Sequence, residues 1–316
     1  MVQKNQRPAF VRHLVNIAIF IAFVIGIEFY YGWLDLLAPW KNQSPAHLCL
    51  AVALVFSSYW VRSIRVYDYF RDQIQGSFLR CFKLTLQHNL LNNLLPMRTG
   101  EISFPVLMSR YFQISMLRSV PALLWFRFLD LHTVGGLAVL VVNPFPRHTP
   151  FTIFLLAAWM ILPALAFWGS RRLKLALEAR AQDNKLGSIL LKVIRGMPQE
   201  SIAFRRTWVL TLATWAVKLG VFAWVLRLFV DIPWSGAFLG AILGDLTSVL
   251  PFHSIGGAGT YEAGVVAGLV PFGASANAAL AAAINLHLFL LAATLFGGAL
   301  SLLLKGEATE DRRVVL

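Results

Sequence analysis

The sequence predicts an all-α polytopic membrane protein built from two inverted repeats, each with three spanning helices and a re-entrant helical hairpin. Three observations support this prediction: an apolar composition, a set of long apolar windows, and positive charge confined to certain connecting segments. Of the 316 residues, 58% are hydrophobic and 14% are charged, and the mean hydropathy is +0.65. Soluble domains are about 45–50% apolar and about 25% charged, so most of this surface faces something other than water.

Six apolar windows are long enough to cross a membrane, which takes about 20 residues per helix. They cover about 14–33, 46–63, 119–142, 150–169, 207–230 and 276–304. The first window follows basic residues, as in a secretory signal, but no small-residue cleavage site comes after it. We therefore interpret it as a retained helix and predict that all six windows span the membrane.

Two further apolar stretches, 82–108 and 234–272, are predicted to form re-entrant hairpins. Each contains two short helical runs around a centre that is broken by Pro and Gly. Helix-breaking backbone at membrane depth is tolerated only where protein or a water-filled cavity surrounds it. For 82–108, which is rich in Asn, Gln and His, an interfacial or cytoplasmic loop is the alternative interpretation.

The basic residues between the windows predict the orientation of the chain. They cluster near the N-terminus, in 62–83, in 170–206 and in the C-terminal tail, whereas 34–45 and 143–149 carry one basic residue each. Cytoplasmic loops carry the excess of Lys and Arg, so both termini and the basic loop 170–206 are predicted to be cytoplasmic, in an inner (plasma) membrane. This placement accounts for most of the net charge of +13 without nucleic-acid binding.

The order span, span, hairpin, span occurs twice, in 14–142 and again in 150–304. Each half crosses the membrane three times, so the second half is predicted to be inverted relative to the first, within a single membrane domain. Both hairpins contain Leu-Pro followed by a glycine turn and Glu, although Leu-Pro before Gly is common in membrane chains. Inverted repeats with broken helices are typical of carriers whose site lies near the membrane midplane.

Ionisable residues within the predicted spans are candidate functional residues, because a charge there costs about 2.5–3.5 kcal/mol on insertion scales. Arg127 and Asp130 share one helical face, where they form either a structural pair or part of a binding site. Lys218 has no acidic residue three or four positions away on its own helix. Its predicted partner is therefore an acid of the second hairpin, Asp245 or Glu262.

The two hairpin turns are the richest candidate binding sites. Glycines let a ligand approach the backbone closely, and a helix that follows them offers free N–H groups to an anion such as phosphate. The candidate residues in these turns are glycines and charged or polar side chains: Arg98, Gly100, Glu101, His253, Gly256, Gly257, Gly259 and Glu262. Close helix packing is the alternative, and the flanking helices carry the small residues that it needs: Gly236, Gly240, Gly244, Gly264 and Gly268.

Several classes of activity lack their motif in this sequence. There is no G-x-S-x-G and no H-E-x-x-H, and the Gly-rich run at 256–259 is not a dinucleotide motif, since no strand precedes it. Cys49 and Cys81 form neither a disulfide framework nor a zinc site. We therefore expect no catalytic residue, metal or cofactor, and transport without an ATP-binding loop would be passive or ion-coupled. His287 is interpreted as a hydrogen-bonded packing residue in preference to a proton relay.

Three segments of the chain resemble the signature segments of a known membrane family. They are 93–101 (NLLPMRTGE), 127–130 (RFLD) and 256–262 (GGAGTYE). In their order and spacing, and over nearly the whole chain, the sequence resembles the lysylphosphatidylglycerol synthase transmembrane region, also called the flippase-like domain family. It departs from the family pattern at Phe104, where an Arg is frequent, and at Ile255, where a Pro is frequent.

The resemblance implies a membrane domain that moves an anionic or isoprenoid-phosphate-linked lipid between leaflets. Full synthases of this family carry a soluble aminoacyl-transferase domain after the membrane part. Only residues 305–316 follow the last predicted helix here, so we expect a stand-alone member without that domain. On this interpretation the phosphate-bearing headgroup is held by Arg98, Lys218 and the glycine turns. The acids Glu101, Asp245 and Glu262 balance these cations or contact a positive part of the headgroup.

Two other functions stay open from the sequence. A polyprenyl-phosphate-dependent glycosyltransferase would use Asp245 or Glu262 as a base, but such enzymes usually need long external loops, and 34–45 and 143–149 are short. A small-anion carrier would need a narrow polar pore in place of a lateral opening to lipid. The expected partner is a membrane lipid with a phosphate headgroup, with a homo-oligomer left open and no nucleic acid.

Overall fold

The computed structural model describes residues 7–74, 76–142, 149–178, 185–198, 200–247 and 255–304. Some side chains within these ranges lie outside the description, namely those of 7–16, 19, 97, 98, 142, 149, 152 and 185. The described residues form helices and short connections, with no β-strand among them. The predicted all-α class is therefore confirmed.

Twelve α-helices follow one another along the described chain. They are α1 (Arg7–Tyr30), α2 (Trp33–Lys41), α3 (Pro45–Tyr69), α4 (Phe78–Leu94), α5 (Ser103–Phe112), α6 (Met116–Val142), α7 (Thr149–Glu178), α8 (Lys185–Arg195), α9 (Ser201–Phe229), α10 (Trp234–Thr247), α11 (Thr260–Leu269) and α12 (Ala276–Leu303). By length and composition, α3, α6, α7, α9 and α12 can each cross a membrane. The sixth candidate span is a bent pair, in which the end of α1 and α2 meet at 75°. Long helices thus form in all six predicted windows.

Two segments that the charge pattern assigned to loops contain helices. Most of the predicted outer segment 34–45 belongs to α2, and the predicted loop 170–206 contains the end of α7, all of α8 and the start of α9. In α8, Leu191 and Ile194 are buried while Leu186 and Ile189 are exposed, and the helix packs against α6 and α7. A count of charges does not reveal this helix. What marks it is the helical spacing of the apolar residues between its cations.

The first broken segment consists of α4, a 3₁₀ helix (Pro96–Ile102) and α5. Pro96 lacks a backbone N–H and cannot continue α4, so the chain turns at this residue. Gly100 lies so close to α4 that an added Cβ would collide with the carbonyl oxygen of Leu91. His88 and Ser103 are hydrogen-bonded at 2.8 Å, which joins α4 to the start of α5.

The second broken segment consists of α10, a 3₁₀ turn (Ile255–Gly257), α11 and a second 3₁₀ turn (Val270–Phe272). Its two helices pack backbone against backbone, because a Cβ on Gly268 would collide with the backbone of Gly240. A Cβ on Gly264 would lie 2.6 Å from the carbonyl oxygen of Leu243. The close packing predicted from these small residues is confirmed.

Replacing Gly268 with alanine is expected to destabilise the protein by about 1–3 kcal/mol, because the added methyl overpacks the contact between α10 and α11. The melting temperature of the purified protein in detergent measures this loss. Gly220 provides the control, since a Cβ there meets nothing within 4 Å. Gly220→Ala should leave the melting temperature unchanged or slightly raised, because alanine favours helix. Equal melting temperatures for the two variants would contradict the packing.

Contacts between Cα atoms group the chain into two compact units. Unit 1 comprises Met1–Val52, Leu90–Gly100 and Leu219–Leu295. Unit 2 comprises Ala53–Asn89, Glu101–Lys218 and Phe296–Leu316. Each unit draws segments from both predicted repeats, so the units divide the chain differently from 14–142 and 150–304. The inverted relation of the repeats stays a prediction.

An aromatic core fills unit 2. Its buried aromatic members follow α3 directly or come from α5 to α7 and from the start of α9: Phe70, Phe104, Tyr111, Trp125, Phe126, Phe167 and Phe204. Burial of such side chains is worth about 1.5–3 kcal/mol each. The core fixes the facing surfaces of α3 and α6, on which the charged residues described next are carried.

Candidate functional site

A cluster of charged side chains lies within unit 2, on α3, α6 and the 3₁₀ helix before α5. Arg127 donates two hydrogen bonds to Glu101, one from Nη2 to Oε1 at 2.9 Å and one from Nε to Oε2 at 3.1 Å. The same guanidinium reaches Oδ2 of Asp130 through Nη1 at 3.3 Å. Arg127 therefore joins both carboxylates, and its bond to Glu101 has the paired geometry that orients a guanidinium firmly.

Asp130 is the most heavily bonded member of this cluster. Its Oδ1 accepts from Nη1 of Arg65 at 2.7 Å and from the indole Nε1 of Trp215 at 3.0 Å. Arg65 also donates to the hydroxyl of Thr211 at 2.9 Å. Arg65 is 3% exposed and Asp130 is 4% exposed. Charges buried to this extent persist only when they are paired and hydrogen-bonded, as these are.

Arg62 is bonded differently from the other two arginines. Its Nη1 donates to the side-chain oxygen of Asn89 at 2.9 Å. Its Nε, like that of Arg65, is buried and has no hydrogen-bond partner among the described residues. Within the same described part of the chain no carboxylate forms an ion pair with it, although Asp130 acts on it electrostatically. Arg62 therefore has donor capacity at Nε that the described protein leaves unused.

A narrow crevice runs beside these arginines; of its space of about 360 Å³, which includes the open mouth, only about 20 Å³ admits a water-sized sphere. Its polar lining comprises Thr85, His88 and charged residues of α3 and α6. Its apolar lining comes from α3 to α6: Val66, Leu84, Phe104, Leu123 and Phe126. Polar and apolar groups meet within it, since the guanidinium of Arg65 lies over the ring of Phe126, 4.7 Å from its centre.

The charges around the crevice do not balance. Arg62, Arg65 and Arg127 bring three positive charges, whereas Glu101 and Asp130 bring two negative ones. Among the described side chains, one positive charge is therefore not matched by a negative one. A phosphodiester carries a single negative charge and oxygens that accept from guanidinium groups, so it fits this excess.

A second cluster lies within unit 1, at the turn of the second broken segment. Oε1 of Glu262 lies 2.6 Å from Nδ1 of His287. Oε2 of Glu262 accepts a hydrogen bond from the backbone N–H of Gly259 at 2.7 Å. Nε2 of His287 lies 2.7 Å from the carbonyl oxygen of Gly256. Glu262 and His287 are 2% and 4% exposed. His287 is thus hydrogen-bonded at both ring nitrogens, and its role as a packing residue stays a prediction.

The turn itself needs glycine. Gly256, Gly257 and Gly259 have φ values of 63°, 80° and 84°, which side chains other than glycine rarely adopt. His287 bonds the carbonyl oxygen of Gly256, and Glu262 bonds the N–H group of Gly259, so the pair holds both ends of this turn.

Within unit 2 the structure brings together three of the residues predicted from the sequence, Glu101, Arg127 and Asp130. Within unit 1 it brings together three more, Gly256, Gly259 and Glu262. The expected proximity of Arg127 and Asp130 is confirmed, and both have more partners than the sequence indicated. Lys218 also belongs to unit 2, where its Nζ lies over the ring of Trp215 at 4.9 Å. Its predicted pairing with an acid of the second hairpin, Asp245 or Glu262 of unit 1, stays a prediction.

The remaining predicted residues lie in or near the turns. Asp245 is buried on α10, 5% exposed. Gly100 packs against α4, as described above. The backbone of Arg98 lies in the 3₁₀ helix Pro96–Ile102, but its side chain is outside the described residues, as is the whole of His253.

The sequence analysis missed Arg62 and Arg65, which it counted among the cations of the predicted loop 62–83. Helix α3 instead continues to Tyr69, so both arginines lie on a helix. Helical spacing would have found them, because Ser58, Arg62 and Arg65 recur at intervals of four and three residues and mark one polar stripe. A polar stripe on an apolar helix faces the protein interior, where Ser58 and Arg65 are indeed buried.

Comparison with known proteins gives one family. A family model described as Lysylphosphatidylglycerol synthase TM region matches residues 14–298, which is nearly the whole chain. No curated protein matches the chain. Together with the five or six candidate spans, the family match identifies a multi-pass membrane protein and indicates a function related to membrane lipids.

Proposed function

The chain belongs to the lysylphosphatidylglycerol synthase transmembrane family, and from this premise we propose that it is a lipid translocase. It moves an anionic or isoprenoid-phosphate-linked lipid between the two leaflets. The observation that supports this proposal most strongly is the cluster of three arginines beside a partly apolar crevice in unit 2. Such a crevice offers phosphate and hydrocarbon their preferred surroundings side by side.

Arg62 receives the headgroup phosphate in this proposal. A half-buried guanidinium is costly unless its charge is paired, and among the described residues Arg62 has a hydrogen bond to the neutral Asn89 but no ion pair. A phosphate oxygen would supply the missing acceptor at Nε. Arg65 and Arg127 then add positive potential while they stay bonded to Asp130 and Glu101.

The excess of one positive charge favours a phosphodiester over a phosphomonoester. A phosphodiester, such as that of phosphatidylglycerol or of a sugar linked to polyprenyl phosphate, neutralises the site. A phosphomonoester dianion would leave a negative charge uncompensated in a partly buried crevice. The apolar lining, with Leu84 and Phe126, then receives the first part of the hydrocarbon chain.

We also propose that both termini lie on the cytoplasmic side of an inner (plasma) membrane and that the second repeat is inverted relative to the first. This topology follows from the basic segments and from the repeated order of long and broken helices. The sequence carries no ATP-binding loop, so exchange is passive or is driven by an ion gradient.

Single cysteines test this topology in intact cells, in a background where Cys49 and Cys81 are replaced by serine. Cysteines at Gln43 and His148 are expected to react with an impermeant thiol reagent added outside. Cysteines at Asp183 and Thr309 should react only after the membrane is permeabilised. Labelling of Asp183 from outside would contradict the inverted arrangement of the repeats.

Exchange in liposomes tests the activity directly. Purified protein in liposomes should accelerate the movement of two probes between leaflets, fluorescent phosphatidylglycerol and a labelled sugar linked to polyprenyl phosphate. Quenching of the outer leaflet follows the exchange, and mass spectrometry should show that the masses of both probes stay unchanged. No acceleration for either probe would contradict the translocase. Consumption of the sugar-linked probe would instead identify a glycosyltransferase.

A further inference from the structure

Helix α8 has one apolar face that its neighbours cover and another that they leave exposed. Leu191 and Ile194 are buried where the helix packs against α6 and α7. Leu186, Ile189 and Leu190 lie about a third of a turn around the helix from that contact, because successive residues are rotated by about 100°. These three side chains are 75%, 60% and 40% exposed. The exposed face is therefore as apolar as the buried one.

The remaining side of α8 is cationic. Lys192 and Arg195 lie three positions apart and are both exposed. Arg195 pairs at 3.2 Å with Glu178, at the end of α7. The surrounding segment 170–206 contains nine Lys and Arg residues against three Asp and Glu residues. This side of the helix thus faces outward within a strongly positive segment.

Packing places α8 at the edge of the membrane-spanning part of its neighbours. Because α6 and α7 are consecutive spans, the start of α6 and the end of α7 lie on the same side of the membrane. Just after α8, a Cβ on Gly196 would collide with the side chain of Pro121, near the start of the apolar window 119–142. Tyr69 also donates a hydrogen bond to the carbonyl oxygen of Gly196. The helix is thus held at the depth where the apolar window of α6 begins.

We propose that α8 is a membrane-surface helix that binds anionic phospholipids of the leaflet on this side. Its exposed apolar face enters the boundary between headgroups and acyl chains, where such helices bury their apolar side chains by about 5–10 Å. Lys192 and Arg195 extend from the same helix to the phosphate groups, since long cationic side chains lay their aliphatic stems along apolar surface. This surface is distinct from the crevice beside Arg62, and the inference does not rest on the proposed translocase activity.

Charge and depth favour lipid over protein as the occupant of the exposed face. Lipid surrounds a spanning bundle at the level of Pro121, so a soluble partner would have to displace headgroups in order to reach α8. A second copy of the chain would bring its own positive segment against this one. An anionic lipid surface instead offers hydrocarbon to the apolar face and phosphate to the cations.

Spin labels on single cysteines identify the medium around the exposed face, in the cysteine-free background of the topology experiment. Ile189→Cys carries the test label. Ile161→Cys carries the lipid reference, since Ile161 is 51% exposed in the middle of the apolar window of α7. The protein is placed in nanodiscs with equal amounts of phosphatidylglycerol and phosphatidylcholine. Oxygen concentrates in hydrocarbon and a nickel chelate stays in water, so power saturation with each reagent distinguishes the two media.

The label at Ile189 should be relaxed by oxygen nearly as strongly as the label at Ile161, and only weakly by the nickel chelate. Strong relaxation by the nickel chelate would place the face in water and overturn the proposal. Protection from both reagents would also overturn it, because protein, such as a second copy of the chain, would then cover the face.

Photocrosslinking in the same nanodiscs measures the preference for anionic lipid. A benzophenone amino acid at position 189 captures the neighbouring lipid, which mass spectrometry identifies. Phosphatidylglycerol should be captured about fivefold more often than phosphatidylcholine, the enrichment expected from about one cation near the membrane surface. Lys192→Gln should reduce this excess toward equal capture. Lys41→Gln is the matched control, because it removes an exposed cation from α2 and should leave the excess unchanged.

Equal capture of the two lipids without a further substitution would overturn the anionic preference, as would an excess that Lys192→Gln does not reduce. Neither the spin-label nor the crosslinking measurement requires lipid movement. A failure of this inference therefore leaves the proposed function untouched, and a protein that moves no lipid can still bind the membrane surface through α8.

Discussion

Replacing Asp130 with alanine is expected to destabilise the protein by about 3–5 kcal/mol, because the variant leaves two arginines without their shared carboxylate. Arg65, 3% exposed, would keep only the hydroxyl of Thr211 as an acceptor among its observed partners. Trp215 would lose the acceptor of its indole N–H group. Removal of one member of a buried ion pair is far more damaging than replacement of both members.

The melting temperature of the purified protein in detergent measures this effect. Asp68→Ala is the matched control, because Asp68 forms an ion pair with Arg206 at 3.2 Å in the same unit. The side chain of Arg206 is 50% exposed, so the loss of that pair should change stability by less than about 1 kcal/mol. Melting temperatures that fall equally in the two variants would contradict the buried network around Asp130.

Replacing Arg62 with alanine is expected to slow the exchange of phosphatidylglycerol by about ten- to a hundredfold. A hydrogen bond to a charged group contributes about 1.5–3 kcal/mol, and about 1.4 kcal/mol corresponds to a factor of ten. The fold should tolerate the change, since the described contacts of Arg62 include one hydrogen bond, to Asn89, and no ion pair. Arg62→Ala thus separates lipid binding from stability, which Asp130→Ala does not.

Arg71→Ala is the control for this experiment. Arg71 lies just beyond the end of α3, its side chain is 53% exposed, and its observed partner is the neighbouring Asp72. Arg71→Ala should have the melting temperature of the unchanged protein, whereas Arg62→Ala should be destabilised by at most about 1–3 kcal/mol, because the buried Asn89 loses its donor. Only Arg62→Ala should lose exchange. Exchange at the full rate by a well-folded Arg62→Ala protein would exclude Arg62 from the site.

The long helices and the two broken segments could be predicted from the sequence because their causes are local. An apolar run of sufficient length predicts a span wherever it occurs. Pro96 begins the 3₁₀ helix that follows α4, and the glycines at 256–259 lie in the turn before α11. The ends of the helices were predicted less well. Residues 170–178 belong to α7, although the sequence analysis assigned them to a basic loop. Basic residues alone do not end a helix.

The candidate site could be predicted only in part, because its members are partners across long separations. Arg127 and Asp130 are close in sequence and were predicted together. Arg65 binds Asp130 from 65 positions away. Helical spacing marks Arg65 as part of a polar stripe, but the sequence does not show which residue it binds. For His287, the sequence predicted a hydrogen-bonded role, but its partner Glu262 lies 25 positions earlier on another helix.

A structure of the protein in nanodiscs that contain phosphatidylglycerol would test the central claim most directly. The account predicts the phosphate of one lipid within hydrogen-bond distance of the Arg62 guanidinium, with the start of its hydrocarbon chain along Leu84 and Phe126. A lipid phosphate bound at the glycine turn of 256–259, with the crevice beside Arg62 left without lipid, would contradict it.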